Sequence, residues 1–304
     1  MEFLVGAGGW AYFQVPGKHP LIAYSEVFSF VEVNSTFYEY PTLRAVEGWR
    51  RLVPPDFTFS VRCHQDLTHH IGLRPTEEAY AVMEKMKAYC HALKAPFLVL
   101  ETPKTHSYTP QDINAARSFL ASISTDGLQL VWEYRAPQTP QISRLMLDYG
   151  IIQSVDLSLQ KPPENTELVY SRIFGKGKHN LYQFTDQELA EIEQNATANP
   201  KIKKAAVSFH GARMYNDAAR SQTHIRTGKF LPATGYFGVD SAKSVLREDT
   251  EFPLGKAELM ADQGWKVIDL SADKRVHLSE VLNRIPNRTY QNVEDVVAAL
   301  EANQ

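Results

Sequence analysis

Short apolar segments recur along the first 210 residues, and most of them end in a polar or charged residue. Stretches with helical periodicity separate most of these segments; in residues 76–94, for example, Ala79, Met83 and Met86 share one helical face. A strand–helix unit repeated eight times is typical of a parallel (β/α)8 barrel. We therefore predict a TIM-like barrel whose eight strands read VGAGGW, FVEVNS, FTFSVRCH, FLVLETP, LQLVWEYR, IIQSVDL, LVYSRIFG and AAVSFHG.

Two regions depart from this repeat. The segment SLQKPPENTE, between the sixth and seventh apolar segments, is too short and too rich in proline for a covering helix, so we expect the barrel to be open or thinly covered there. After about residue 231 the pattern changes to short helical segments around a predicted β-hairpin, WKVIDL–SADK–RVHL. We predict a barrel domain over residues 1–231 and a small α+β domain over residues 232–304.

Charge and cysteine content narrow the functional classes. The chain has a net charge of −3, and residues 234–304 carry eight Lys and Arg against twelve Asp and Glu. This acidity argues against DNA binding by the C-terminal hairpin, because DNA affinity rests largely on phosphate neutralisation. The chain has two cysteines, and their spacing is not that of metal ligands. We therefore predict a reduced, cytoplasmic protein, in keeping with an N-terminus that lacks the features of a signal peptide. We predict no membrane span, because no apolar run approaches about 20 residues.

Several of these segments resemble a known family. VGAGGWAY and YSEVFSFVEVNSTFYEYP resemble the most distinctive segments of the domain-of-unknown-function 72 (YecE-like) family, and the similarity extends over about residues 3–217. The resemblance implies a TIM-barrel-like fold but no established reaction. Fold-level similarity to endonuclease IV connects the family with metal-dependent barrels. The chain departs from the family pattern in four places, with Arg62 for Lys, Glu101 for Gln, Phe174 for His, and Phe209-His210-Gly211 for the usual Phe-Asn-Asn.

The polar residues that end the apolar segments are the candidate site, because chemistry in such barrels lies at the carboxyl ends of the strands. Glu32 and Asn34 are two residues apart on one strand and should face the same way. A buried carboxylate needs a partner, so Glu32 is either a site residue or an ion pair with Arg62 or Arg135. Glu133 and Arg135 repeat this spacing on the fifth strand, and again suit either role.

We predict catalytic roles for Glu32, His69 and Glu133, with a glutamate as general base and the loop imidazole as acid or ligand. Arginines at strand ends suit an anion, since the guanidinium grips carboxylates and phosphates. The predicted substrate-binding residues are Trp10, Asn34, Arg62, Arg135, Asp156, Arg172 and His210.

The sequence leaves alternatives for both the cofactor and the function. A divalent metal such as Zn, Mn or Mg is an alternative, with ligands drawn from Glu32, His69, Glu101, Glu133, Asp156 and His210. The leading interpretation is a hydrolase or isomerase acting on an anionic or phosphorylated small molecule. One alternative is a nucleic-acid-binding or nuclease-like protein, which the near-neutral charge does not favour. Another is a non-catalytic binding protein. The sequence indicates no oligomeric state.

Overall fold

The computed structural model describes residues 1–164, 166–176 and 181–303. The chain divides into two compact units, each made of two segments. The first consists of Met1–Ile173 and Asn195–Phe209, and the second of Phe174–Gln194 and His210–Gln304. The predicted domain boundary after residue 231 stays a prediction.

The first unit is an eight-stranded parallel barrel. Its sheet has the strand order β6-β5-β4-β3-β2-β1-β8-β7, and a parallel bridge between Val155 and Ser171 joins the segment after β6 to β7. This arrangement confirms the predicted TIM-like fold. The strands are β1 (Glu2–Ala7), β2 (Phe30–Val33), β3 (Thr58–Arg62), β4 (Phe97–Thr102), β5 (Gln129–Tyr134), β6 (Ile152–Gln153), β7 (Leu168–Ile173) and β8 (Lys204–Phe209).

Helices follow most of the strands, and local sequence sets where they begin. Thr109 shows this for α4, because its hydroxyl accepts from the Asp112 N–H while the Asp112 carboxylate accepts from the Thr109 N–H. Between β6 and β7 the described residues form no helix, as the proline-rich segment predicts. The helices up to β8 are α1 (Pro20–Val27), α2 (Leu43–Arg51), α3 (Glu77–Leu93), α4 (Pro110–Ser122), α5 (Pro140–Asp148) and α6 (Asp186–Ala196).

The barrel interior changes from apolar to charged along the strands. Its apolar layer contains Leu4, Phe30, Phe97, Val131 and Ala206. Residues two apart face the same side of a strand. Two residues after Phe30, Val131 and Ala206 the inward positions are therefore polar, namely Glu32, Glu133 and Ser208. The charged side chains therefore lie at the carboxyl ends of the strands, above a filled core.

Close contact between β1 and β2 requires glycine at position 6. A Cβ atom there would lie 2.0 Å from the Phe30 carbonyl oxygen and 2.8 Å from the Tyr24 hydroxyl. That hydroxyl donates to the Phe30 carbonyl and accepts from the Ala7 N–H, at 2.8 Å each. The Tyr24 side chain thus connects α1 to both β1 and β2.

The second unit contains the predicted hairpin, formed by antiparallel β10 and β11, and a further antiparallel pair of β9 and β12. These elements and the surrounding helices enclose a separate apolar core that includes Ile268, Leu278 and Tyr290. In the described ranges, no helix combines the length and the apolar character needed to cross a membrane. The elements are α7 (Met214–Thr227), α8 (Val239–Leu246), β9 (Leu254–Gly255), α9 (Lys256–Gln263), β10 (Val267–Ser271), β11 (Lys274–His277), α10 (Leu278–Leu282), β12 (Thr289–Tyr290) and α11 (Val293–Glu301).

Candidate functional site

Three glutamates and three arginines meet at the carboxyl ends of the barrel strands, and we call them the charged cluster. Their formal charges cancel, so the cluster as a whole is neutral. Five members lie on the strands and the sixth directly follows β5. The members are Glu32, Arg62, Glu101, Glu133, Arg135 and Arg172.

Arg172 on β7 joins all three glutamates. Its Nε donates to Glu32 Oε1 at 3.1 Å, and its Nη1 donates to Glu101 Oε2 at 2.6 Å and to Glu133 Oε2. The arginine side chain is only 2% exposed, and that of Glu32 is fully buried. Burial on this scale is tolerated because each charge has charge-assisted hydrogen bonds. The contacts of Arg172 are those of a structural ion-pair network.

Glu101 on β4 is the second centre of the charged cluster. Its Oε2 lies 2.5 Å from Arg62 Nη2 and its Oε1 lies 2.8 Å from Arg135 Nη1. The same Oε1 is 4.0 Å from His69 Nε2. One carboxylate therefore connects the buried arginines to the groups nearest the solvent.

Arg62 on β3 also contacts polar and aromatic groups from the loop after β2. Its Nη1 donates to Asn34 Oδ1, and its guanidinium lies 3.6 Å from the centre of the Phe37 ring. Burial lowers the pKa of Arg62, and the nearby charge of Arg172 adds to that effect. The predicted pair therefore contacts two different arginines, with Glu32 bound to Arg172 and Asn34 bound to Arg62.

Glu133 and Arg135 form an ion pair, one of the two roles left open for them, with Arg135 Nε donating to Glu133 Oε1 at 2.9 Å. Burial alone would raise the pKa of Glu133, but Arg172 and Arg135 hold it below its usual value. The group is therefore a carboxylate at neutral pH, and a weak base. The Arg135 side chain is 34% exposed.

His69 lies in a single π-helical turn, Asp66–Ile71, that follows β3. Such turns occur often at functional sites. Its Nδ1 is 3.0 Å from Thr68 Oγ1, its ring packs edge-on against Phe37, and the side chain is 23% exposed. Burial lowers the pKa of His69, and Arg62 adds to this while Glu101 opposes it. The imidazole is therefore neutral at pH 7.

Three other predicted site residues have different surroundings. Trp10, after β1, packs edge-on against Trp49 with 5.3 Å between ring centres. Asp156, after β6, accepts hydrogen bonds from the backbone N–H of Ser158 at 2.9 Å and from its hydroxyl at 2.6 Å. His210 belongs to the second unit, where its ring stacks on Phe174.

Most of the chain matches a known protein family. The model of the family described as "Protein of unknown function DUF72" matches residues 4–229. This chain belongs to the DUF72 family. The match confirms the resemblance inferred from the VEVNSTFY segment, and the family description assigns no reaction.

Solved DUF72 structures show the same fold. A DUF72 family protein from Thermotoga maritima MSB8 is 17% identical, with a TM-score of 0.61 over 74% of this chain and 100% of that one. A DUF72 family protein from Enterococcus faecalis V583 is 16% identical, with a TM-score of 0.57 over 74% of this chain and 97% of that one. No curated protein matches the chain. At these identities the likeness carries the fold and no activity.

The metal alternative does not fit the donor set of this DUF72 protein. Across the part of the chain that the structure describes, no group of three or more His, Cys, Asp or Glu is arranged to hold a metal ion. The physical reason lies in the charged cluster, where arginines bind the oxygens of Glu32, Glu101 and Glu133. The six residues predicted as alternative metal ligands therefore do not form a metal site.

The sequence also contained a signal for two residues that were not predicted. Tyr170 donates its hydroxyl hydrogen to Glu32 Oε2 at 2.8 Å, and Ser60 Oγ lies 2.6 Å from the same hydroxyl. Each stands two residues before a cluster arginine, Arg172 and Arg62 respectively, and so faces the same side of its strand. The spacing applied to Glu32 and Asn34 would have found both.

Proposed function

We propose that this DUF72 protein is an enzyme that binds a small anion-bearing molecule at the carboxyl face of its barrel and acts by proton transfer. One observation carries the proposal. Glu101 Oε1 is 2.8 Å from Arg135 Nη1 and 4.0 Å from His69 Nε2, so a cation and a neutral imidazole lie side by side. Both side chains are partly exposed, at 34% and 23%.

In this proposal Arg135 binds the anionic group of the substrate. A guanidinium presents donors in a planar fork that matches a carboxylate or phosphate. Glu133 and Glu101 bind Arg135 at 2.9 and 2.8 Å and thereby fix its orientation. Arg62 and Arg172 are buried and act by holding the carboxylates in position.

His69 would move the proton. Because its pKa is lowered, the imidazole is a base at neutral pH and can accept a proton from a bound ligand. The carboxylate of Glu101 would then stabilise the imidazolium. Glu32, fully buried between Arg172 and Tyr170, would be a positioning residue, and the lowered pKa of Glu133 favours the same role over that of general base.

Ligand binding and turnover test the two roles separately. Thermal unfolding is measured with sugar phosphates and with the same sugars lacking phosphate, in wild type, Arg135→Gln and Arg117→Gln. The last variant is the matched control, since Arg117 is a partly exposed arginine paired with Asp148. We expect the phosphorylated compounds alone to raise Tm, and only Arg135→Gln to abolish the shift. Equal binding of neutral sugars would overturn the anion assignment.

Turnover of any ligand that binds is followed as phosphate release and as sugar interconversion. We expect His69→Asn to lose at least about 100-fold in kcat, the usual contribution of a general base, while the ligand-induced Tm shift remains. Unchanged kcat in His69→Asn would refute its role. A duplex DNA oligonucleotide in the same assay tests the nucleic-acid alternative, which predicts binding that weakens steeply with salt.

A further inference from the structure

The second unit contains an apolar cavity of about 240 Å³ that opens between α8, β10, α10 and α11. Its walls are mostly aliphatic, and Arg284 and Asn303 are the polar side chains among them. Ala242, Ile268 and Leu300 are buried. An apolar cavity of about 150 Å³ is enough to bind benzene in a protein core. This cavity can therefore take a somewhat larger apolar group.

A single cationic side chain lines the cavity. Arg284, two residues after the end of α10, is exposed, and its side chain forms no hydrogen bond or ion pair within the described residues. Several other arginines of the second unit have carboxylate partners, such as Arg247 with Glu294 and Arg288 with Asp295. This cavity therefore combines an apolar lining with the unpaired positive charge of the Arg284 side chain.

We propose that this cavity binds a small amphipathic carboxylate, with its aliphatic chain against Ile268 and Leu300 and its carboxylate on Arg284. Burial of the aliphatic chain away from water supplies the affinity. The guanidinium supplies selectivity, because a charge-assisted hydrogen bond favours an acid over the alcohol of the same length. The site lies in the second unit and is independent of the barrel chemistry.

Octanoate and 1-octanol are the probes, and calorimetry on the full chain measures their affinities. We expect octanoate to bind wild type at least several-fold more tightly than octanol. Arg284→Gln should weaken octanoate about tenfold, the cost of losing a hydrogen bond to a charged group, and leave octanol unchanged. Arg226→Gln is the matched control, an exposed arginine of the same unit that is not part of the cavity lining. It should leave both affinities unchanged.

A second variant tests the cavity itself. Val281→Phe places a phenyl ring in the cavity and should abolish binding of both probes. Circular dichroism checks that this variant keeps the native fold. Absence of octanoate binding to wild type would overturn the proposal. So would an Arg284→Gln affinity equal to that of wild type, or octanoate binding that survives Val281→Phe.

Discussion

Replacement of Arg172 by methionine is the most informative perturbation of the charged cluster. Its guanidinium is 2% exposed and binds Glu32, Glu101 and Glu133. Methionine keeps much of the side-chain volume but removes the charge, so three carboxylates, two of them fully buried, face two arginines. Removal of one partner from a buried ion pair costs about 3–5 kcal/mol, because the other charge stays buried and uncompensated. We expect a loss of that size in the free energy of unfolding.

Urea unfolding followed by tryptophan fluorescence measures this loss. Arg144→Met is the matched control, since its side chain is 71% exposed and pairs with Asp148 on the surface. Surface pairs contribute about 0–1 kcal/mol, so the control should stay close to wild type. The double variant Arg172→Met/Glu32→Gln restores charge balance and should recover at least half of the loss. A loss below about 1 kcal/mol for Arg172→Met would refute the reasoning.

The same variant has a predicted pH dependence. In wild type, the arginines hold the pKa of Glu133 below its usual value, so this carboxylate contributes stability that is present above pH about 4.3 and is lost as the pH falls through the lowered pKa. Without Arg172 that pKa rises. The stability difference between wild type and Arg172→Met should therefore shrink below pH about 4.5.

Three further variants test other parts of the structure by the same unfolding assay. Tyr170→Phe removes the hydroxyl that donates to a buried carboxylate and should cost about 1–3 kcal/mol; no change would mean that the bond is absent. Burial raises the pKa of Asp217 to about 7, so its ionisation destabilises wild type as the pH rises from 5 to 8, and Asp217→Asn should gain about 2–4 kcal/mol over wild type across that range. A pH-independent difference would contradict this. Gly6→Ala places Cβ 2.0 Å from the Phe30 carbonyl and should cost at least about 2 kcal/mol, whereas Gly235→Ala meets no atom within 4 Å and should be close to neutral.

The sequence was sufficient for the barrel because most strands are short apolar runs that a helix follows. The strands β2 to β5 and β7 lie within the predicted segments, and the proline-rich segment before β7 lacks a helix. β8 begins one residue before its predicted segment, and β1 begins at Glu2, three residues before the predicted VGAGGW. β6 is the exception, since only Ile152–Gln153 pairs as a strand within the predicted IIQSVDL. Alternation of apolar and polar residues predicts that a strand is present, but it does not define the residue at which hydrogen bonding to the neighbouring strand ends.

The contacts of the site were less predictable for a physical reason. Strand alternation shows which side chains face inward, but the partner of each charge depends on how strands meet across the barrel. Glu32 pairs with Arg172 from β7, although Arg62 and Arg135 were the predicted partners. Asn34 lies outside β2, because the chain enters the 3-10 turn Ser35–Phe37 directly after it. The solvent exposure of each arginine side chain, which is 34% for Arg135 and 2% for Arg172, also depends on the packing of the folded chain.

The pKa of His69 with and without a bound anion tests the proposed site most directly. Imidazole signals are followed by NMR across pH 4–9 in sulfate-free buffer and in sulfate, which stays a dianion over this range, and His69→Asn assigns the resonance. We expect a His69 pKa below the ordinary value of about 6.5, and we expect it to rise when sulfate binds at Arg135, because the anion stabilises the imidazolium. A pKa at or above that value, unmoved by sulfate, would contradict it.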